Sequence, residues 1–442
     1  MVPDSLGRRG LLVGLGGLVA GGTVAVGATE PTALPDVLTD EATKHYPTPP
    51  EVNSLWRPTV TEAHATEAID RLAETVSRGE KLRSQIETDD HFVGSGGWLE
   101  NAREARQKGN YYEALFHAVG GLQYAGEDLG FARAKLGRSE ADLRTLAERE
   151  RDVRERVQAV ADDVDPYPVV EPGRDLAWYY RIERELVFAR FNASNGLQAA
   201  LDGGDEENDS DAREFDPEDV GTVTANLLEA EGHLRNAERF RDRLTAKLDG
   251  SRSTASYAEH LGDVAGRFRT EIREHPTRGD VRETFVDDDD GPYDSYEYAR
   301  SRIARWCFDS NYRFGMDDSD GLLVYRAVEL SRGLAQRRAH GPAVDRLVVE
   351  EGDSGFDSGH ALAEKRRARA TYRSVVGSEP PPLLTRQVRR AVEDLQVAKV
   401  GFAGNYQRPL WRERLKAYLY ALVGRAKLEQ YPEVYDAVVD AD

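Results

Sequence analysis

The sequence predicts an all-α protein, with helical hairpins forming two bundles or one irregular helical array. From Thr59 onward apolar residues recur three and four positions apart, as in Leu227, Ala230, Leu234 and Ala237 and again in Trp411, Leu415, Tyr418 and Leu422. No run of alternating β-branched residues, the mark of a half-buried strand, interrupts that pattern. A chain of 442 residues also exceeds what one hydrophobic core usually serves, which favours more than one helical body.

The first 28 residues read as an address. Arg8 and Arg9 precede Gly10, Leu11 and Leu12, and an uncharged run rich in Gly, Leu, Val and Ala continues to Thr29. This arrangement resembles a twin-arginine export signal, in which paired arginines open a weakly hydrophobic core. The resemblance implies export. Val26-Gly27-Ala28 presents small residues to a signal peptidase, with cleavage after Ala28. Left uncleaved, a run of about twenty residues is long enough to anchor in a membrane, with the arginines on the cytoplasmic side. Both versions place the body outside the cytoplasm, in the extracellular space or at the cell envelope. Residues 29–58 carry Pro31, Pro35, Pro47, Pro49, Pro50 and Pro58 and read as a Pro-rich spacer.

An N-terminal helical domain is expected over residues 59–201, with helices at 59–86, 98–107, 111–135, 139–161 and 175–201. The segment Lys108-Gly109-Asn110-Tyr111-Tyr112-Glu113-Ala114-Leu115 resembles the turn of a tetratricopeptide unit. It does not recur at a fixed period, so an ordinary αα-hairpin is the favoured reading. The helix at 139–161 is densely charged and implies either a narrow buried face or a coiled-coil arm. Residues 202–219 hold ten acids against one arginine and almost nothing apolar, so they read as an acidic linker. A C-terminal helical domain follows over 220–442. Its helices are expected at 217–248, 254–275, 295–314, 321–340, 360–376, 383–402 and 408–430, with Pro380-Pro381-Pro382 as a break.

Net charge is −20, from 79 acidic and 59 basic residues, and the basic set comprises 50 Arg and only 9 Lys. In this the chain resembles proteins of extreme halophiles, whose carboxylates keep a surface hydrated where salt screens their repulsion. Cys307, the only cysteine, excludes an internal disulfide and sits in an apolar stretch as a buried thiol.

The chemistry-bearing residue types form no recognisable catalytic, nucleotide or cofactor motif, and no cofactor is expected. The 9 histidines fall in no HExxH motif and there is no phosphate-binding loop. Weak metal candidates are Asp288, Asp290 and Glu297, which fall at ligand positions of a calcium loop if Gly291 takes the sixth place, although Val286 then stands first. Asn192-Ala193-Ser194 and Asn208-Asp209-Ser210 are glycosylation candidates. Residues 360–431 carry fifteen basic against six acidic residues, a block suited to an anionic surface component or to internal pairing with the acidic stretches. Nucleic acid is disfavoured by the export signal and by the salt sensitivity of phosphate binding. The sequence points to a non-catalytic envelope or extracellular interaction protein. The rival readings are a helical-toroid enzyme acting on surface polysaccharide and a solute- or ion-binding protein.

Overall fold

The computed structural model describes residues 30–47, 56–86, 94–141, 143–202, 216–249, 255–285, 294–308, 316, 319–353, 355–400 and 410–441. Among the described residues it is all-α apart from one pair of two-residue strands. In chain order the helices are α1 (Asp36–His45), α2 (Glu62–Arg83), α3 (Gly96–Gln107), α4 (Tyr111–Lys135), α5 (Leu143–Val164), α6 (Pro172–Asp202) and α7 (Pro217–Leu248). They continue as α8 (Ala258–Glu274), α9 (Arg278–Arg282), α10 (Ser295–Cys307), α11 (Leu323–Arg338), α12 (His340–Asp345) and α13 (Ser358–Val376). The last are α14 (Pro382–Gln387), α15 (Arg389–Val400), α16 (Leu410–Leu428) and α17 (Tyr431–Val439). Strands β1 (Pro168–Val169) and β2 (Ala255–Ser256) pair antiparallel, with Pro168 opposite Ser256.

Helix starts follow from side-chain caps. The Thr61 hydroxyl accepts from His64 N–H at 3.2 Å, Asn110 Oδ1 accepts from Glu113 N–H at 3.3 Å, and the Asp216 carboxylate accepts from two N–H groups of α7. Pro217, with φ already fixed, occupies the first turn of α7. Between α3 and α4 the chain turns at Gly109, whose φ of 74° suits glycine, so the segment 108–115 is an αα-hairpin.

The chain divides into two compact units. A long-helix unit comprises the described residues of Trp56–Ala265, Arg313–Val328 and Val438–Asp442, and a short-helix unit those of Met1–Leu55, Gly266–Tyr312 and Glu329–Ala437. Both α6 and α7, which flank the acidic stretch 202–219, belong to the long-helix unit. The division falls instead inside α8, α11 and α17, because α6 and α7 bury their apolar stripes against each other.

In the long-helix unit α4 packs on α2 and α7, and α6 on α7. The crossing of α4 and α7 depends on glycine. A Cβ on Gly126 would lie 2.8 Å from Ala225 Cα, and one on Gly130 would lie 2.6 Å from Thr224 Cβ. The predicted seam residues Leu227, Ala230, Leu234 and Ala237 are buried. Helix α5 buries Leu146, Val153, Val157 and Val160 against α6 and α7, so its charge density leaves a narrow packed face rather than a free arm.

The short-helix unit has its own core, in which Ile303, Cys307, Ala361, Leu415, Leu419 and Leu422 are fully buried. The predicted helix at 383–402 is two helices, α14 and α15, and the one at 408–430 stops at Leu428 before α17 begins. Residues 31–45 correct the expected spacer: a 3-10 turn at Pro31–Ala33 and helix α1 pack on α13. Polar latches hold them. Ser358 N–H donates to Asp36 Oδ1 at 3.1 Å, Lys365 Nζ to the Thr43 carbonyl at 2.7 Å, and Arg414 Nε to Asp40 Oδ1 at 2.9 Å. Gly359 admits the strap, since a Cβ there would lie 2.6 Å from Thr32 Cα.

Candidate binding cleft

The long-helix unit contains a cleft of about 590 Å³. Helical spacing brings its lining together. On α2, His64, Glu67, Arg71, Thr75 and Arg78 follow at three- and four-residue steps beside the buried stripe of Ala65, Ile69 and Leu72. Helix α7 contributes Leu228, Glu231, Arg235 and Arg239 at the same steps, and α5 contributes Thr145 and Arg149. The floor is apolar, with Val119, Leu122 and Leu129 of α4. Gly232 fits against that floor, because its missing Cβ would stand 3.1 Å from Leu122 Cδ1.

Three of the four carboxylates of the cleft are engaged by arginines. Glu231 receives Arg71 and, at 2.6 Å, Arg149. Glu67 receives Arg239 and, at 3.7 Å, Arg235, while Glu74 lies 3.5 Å from Arg78. Six arginines line the cleft (Arg71, Arg78, Arg133, Arg149, Arg235 and Arg239), against the four acids Glu67, Asp70, Glu74 and Glu231. This local excess of two positive charges stands within a chain of −20.

One wall of the cleft continues into a buried polar chain. His64 Nε2 donates to Asn236 Oδ1 at 3.0 Å, Asn236 Nδ2 donates to Glu185 Oε2 at 3.1 Å, and His233 Nδ1 donates to the same oxygen at 2.7 Å. Arg181 pairs with Glu185 and donates to the Tyr112 hydroxyl at 3.1 Å. Burial alone would raise Glu185, but Arg181 and His233 outweigh it and hold the carboxyl far below its usual range. Burial would lower His233, yet the charge and hydrogen bond of Glu185 push it up to about 9, so it is an imidazolium at neutral pH. His64 is lowered by burial, against the Asn236 hydrogen bond, and is neutral. These residues form an ion-paired frame that fixes Asn236 and His64 at the cleft wall.

A second buried carboxylate, Glu183 of α6, closes the start of α11. Its Oε1 accepts from the Tyr167 hydroxyl at 2.5 Å and its Oε2 from Tyr325 N–H, while Leu323 N–H donates to Tyr167 Oη at 3.2 Å. Burial pushes Glu183 up to about 7. It serves as a helix cap supplied from another helix.

Glu297 does not stand free as a ligand. It forms the capping box of α10, its Oε2 accepting from Asp294 N–H at 3.0 Å. Asp288 and Asp290 lie outside the described residues, as do Arg8, Arg9, Ala28 and Asn208. Among the described residues no group of three or more His, Cys, Asp or Glu could hold a metal ion. Asn192 lies within α6 and is only 9% exposed. Cys307 is buried, and burial pushes its thiol up to about 12. Among the described residues no helix is long and apolar enough to cross a membrane.

Six of the fifteen cations of the basic block 360–431 form ion pairs within the short-helix unit. Arg414 pairs with Asp36 and Asp40, Arg425 and Arg367 with Glu364, Arg389 and Arg390 with Glu393, and Lys427 with Asp394. Internal pairing thus uses carboxylates of the same unit, two of them on α1.

The cleft was not legible in the sequence, because its charged residues come from four helices spread over 64–239. The available signal was the ionisable stripe of α2, which runs beside the apolar stripe on a face that a solvated helix would not need to pattern.

Residues 63–250 match the family model described as Domain of unknown function (DUF8262), and residues 255–440 match the one described as Domain of unknown function (DUF8264). No curated protein and no solved structure matches the chain.

Proposed function

We propose that the protein is an exported, non-catalytic helical binding protein of the cell envelope or extracellular space, with the cleft of the long-helix unit as its binding site. The observation that carries this reading is the commitment of Glu67, Glu74 and Glu231, three of the cleft's four acids, to arginine partners, which leaves Asp70 without a second carboxylate to work with. A carboxylate held in an ion pair orients and binds; a glycosidase needs one carboxyl kept protonated and another free to attack or to activate water. That requirement weighs against the helical-toroid enzyme.

Export rests on Arg8, Arg9 and the apolar run that follows them. The test has two arms. Replacing Arg8 and Arg9 by lysine is expected to leave the chain in the cytoplasm, while the wild type reaches the envelope or the medium. Wild-type protein recovered at growth salt, crosslinked and examined by mass spectrometry, is expected to carry a reproducible small molecule or envelope partner. Wild-type chain found only in the cytoplasm, or steady turnover of a substrate by the pure protein, would overturn the proposal.

A further inference from the structure

We propose that the cleft takes a small anionic solute, its carboxylate or phosphate group clamped by Arg71 and Arg149 above an apolar floor. This rests on the reading of the cleft as a binding site and specifies what enters it.

Three observations converge on an anion. First, Arg71 of α2 and Arg149 of α5 both point at the single carboxylate of Glu231, so two guanidiniums share one negative charge. Their side chains are only 19% and 29% exposed, so solvent screens the remaining positive charge weakly. Second, Arg71 Nη1 is buried without a hydrogen-bond partner, although a guanidinium donor withdrawn from water ordinarily finds an acceptor. Third, the whole lining carries two more positive than negative charges in a strongly acidic chain. A cleft of that sign on such a surface concentrates anions locally.

The size and floor of the cleft restrict the class further. A volume of about 590 Å³ is that of a small-molecule site, and Val119, Leu122 and Leu129 offer an apolar wall to a hydrocarbon portion. The planar fork of arginine pairs with carboxylate and phosphate oxygens two at a time, which a chloride ion cannot imitate. A dicarboxylate or a phosphate ester of modest size therefore fits the lining better than a halide or a neutral sugar.

The experiment titrates the full chain in KCl at fixed ionic strength with inorganic phosphate and, separately, with succinate, following the thermal midpoint and the heat of binding. A saturable rise in midpoint with at least one probe, above that of matched KCl, is expected. Phosphate alone would identify a phosphate-bearing ligand, and succinate alone a carboxylate. Arg71→Lys, which keeps the charge but removes the fork, and Arg149→Gln are each expected to weaken binding at least tenfold. Arg346→Gln, which breaks the pair with Glu429 in the short-helix unit, should leave affinity unchanged and serves as the control for lost ion pairs. No saturable response to either probe, or affinity unaltered in both cleft variants, would overturn the anion proposal. A neutral molecule found on the natively purified protein would also overturn it while leaving the binding reading intact, whereas turnover would overturn that reading itself.

Discussion

Single residues in this protein do their work through ion pairs removed from solvent, and the imidazolium of His233 is the most informative. It lies 2.7 Å from Glu185 and 3.7 Å from Glu229 and stacks on Phe188. Its pKa is raised from 6.5 to about 9 in the fold, so its contribution is fully present below pH 6.5 and is lost as pH rises through about 9. That shift corresponds to roughly 3 kcal/mol. Urea midpoints measured from pH 7 to 10 in molar KCl are expected to decline for the wild type, and to be flat over that window for His233→Gln. Glu183 acts at lower pH. Its pKa is raised from 4.5 to about 7, so the stability tied to it is present below 4.5 and is lost as pH rises through 7. In Glu183→Gln the decline between those values should disappear; its persistence would show that another group titrates there.

At the scale of the element, glycine decides how closely α4 and α7 approach. Gly130→Ala would gain helix propensity of about 1 kcal/mol, but the added methyl meets Thr224 Oγ1 at 2.5 Å and the Val220 carbonyl at 2.7 Å. Overpacking of this kind costs about 1–3 kcal/mol, so net destabilisation is expected. Gly262→Ala in α8 is the contrasting case, because no atom beyond the helix's own neighbouring backbone lies within 4 Å of the new methyl. It should stabilise by up to about 1 kcal/mol. Equal midpoints for the two variants in chemical denaturation would contradict the crossing described here. The strap formed by residues 31–45 depends on a third glycine. Gly359→Ala should drive Thr32 away, release α1 from α13 and expose the bond after Lys44 to trypsin; a cleavage rate like that of the wild type would show that the polar latches suffice.

For the whole molecule, charge and salt set the conditions in which these contacts operate. A net charge of −20 repels itself in dilute buffer, and the Debye length of about 3 Å at 1 M salt removes most of that repulsion. Circular dichroism is expected to show loss of helical signal, or a lowered thermal midpoint, on passing from multimolar to millimolar KCl. An unchanged signal and midpoint would count against a halophilic surface. Arginine suits this setting better than lysine, since its planar fork reaches carboxylates on another helix, as Arg149 does from α5 to α7 and Arg414 from α16 to α1.

The all-α class, most of the long helices and several of their starts follow from local rules. Apolar spacing of three and four, Thr61, Asn110 and Asp216 as caps, and Gly109 as a turn each act within a few residues and can be read in order along the chain. Short helices such as α1, α9, α12 and α17 escaped that reading, because a stretch of five to ten residues is helical through what it packs against more than through its own propensity. The two units, the strap on α13 and the cleft were decided by the tertiary structure alone. Arg71, Arg149 and Glu231 are ordinary surface-type residues in the sequence, and only the packing of α2 and α7 on α4, and of α5 on α7, sets them around one space. Burial then gives Glu185 and His233 their protonation states, since the energy of a charge depends on its neighbours and on the distance to water, neither of which a linear sequence contains.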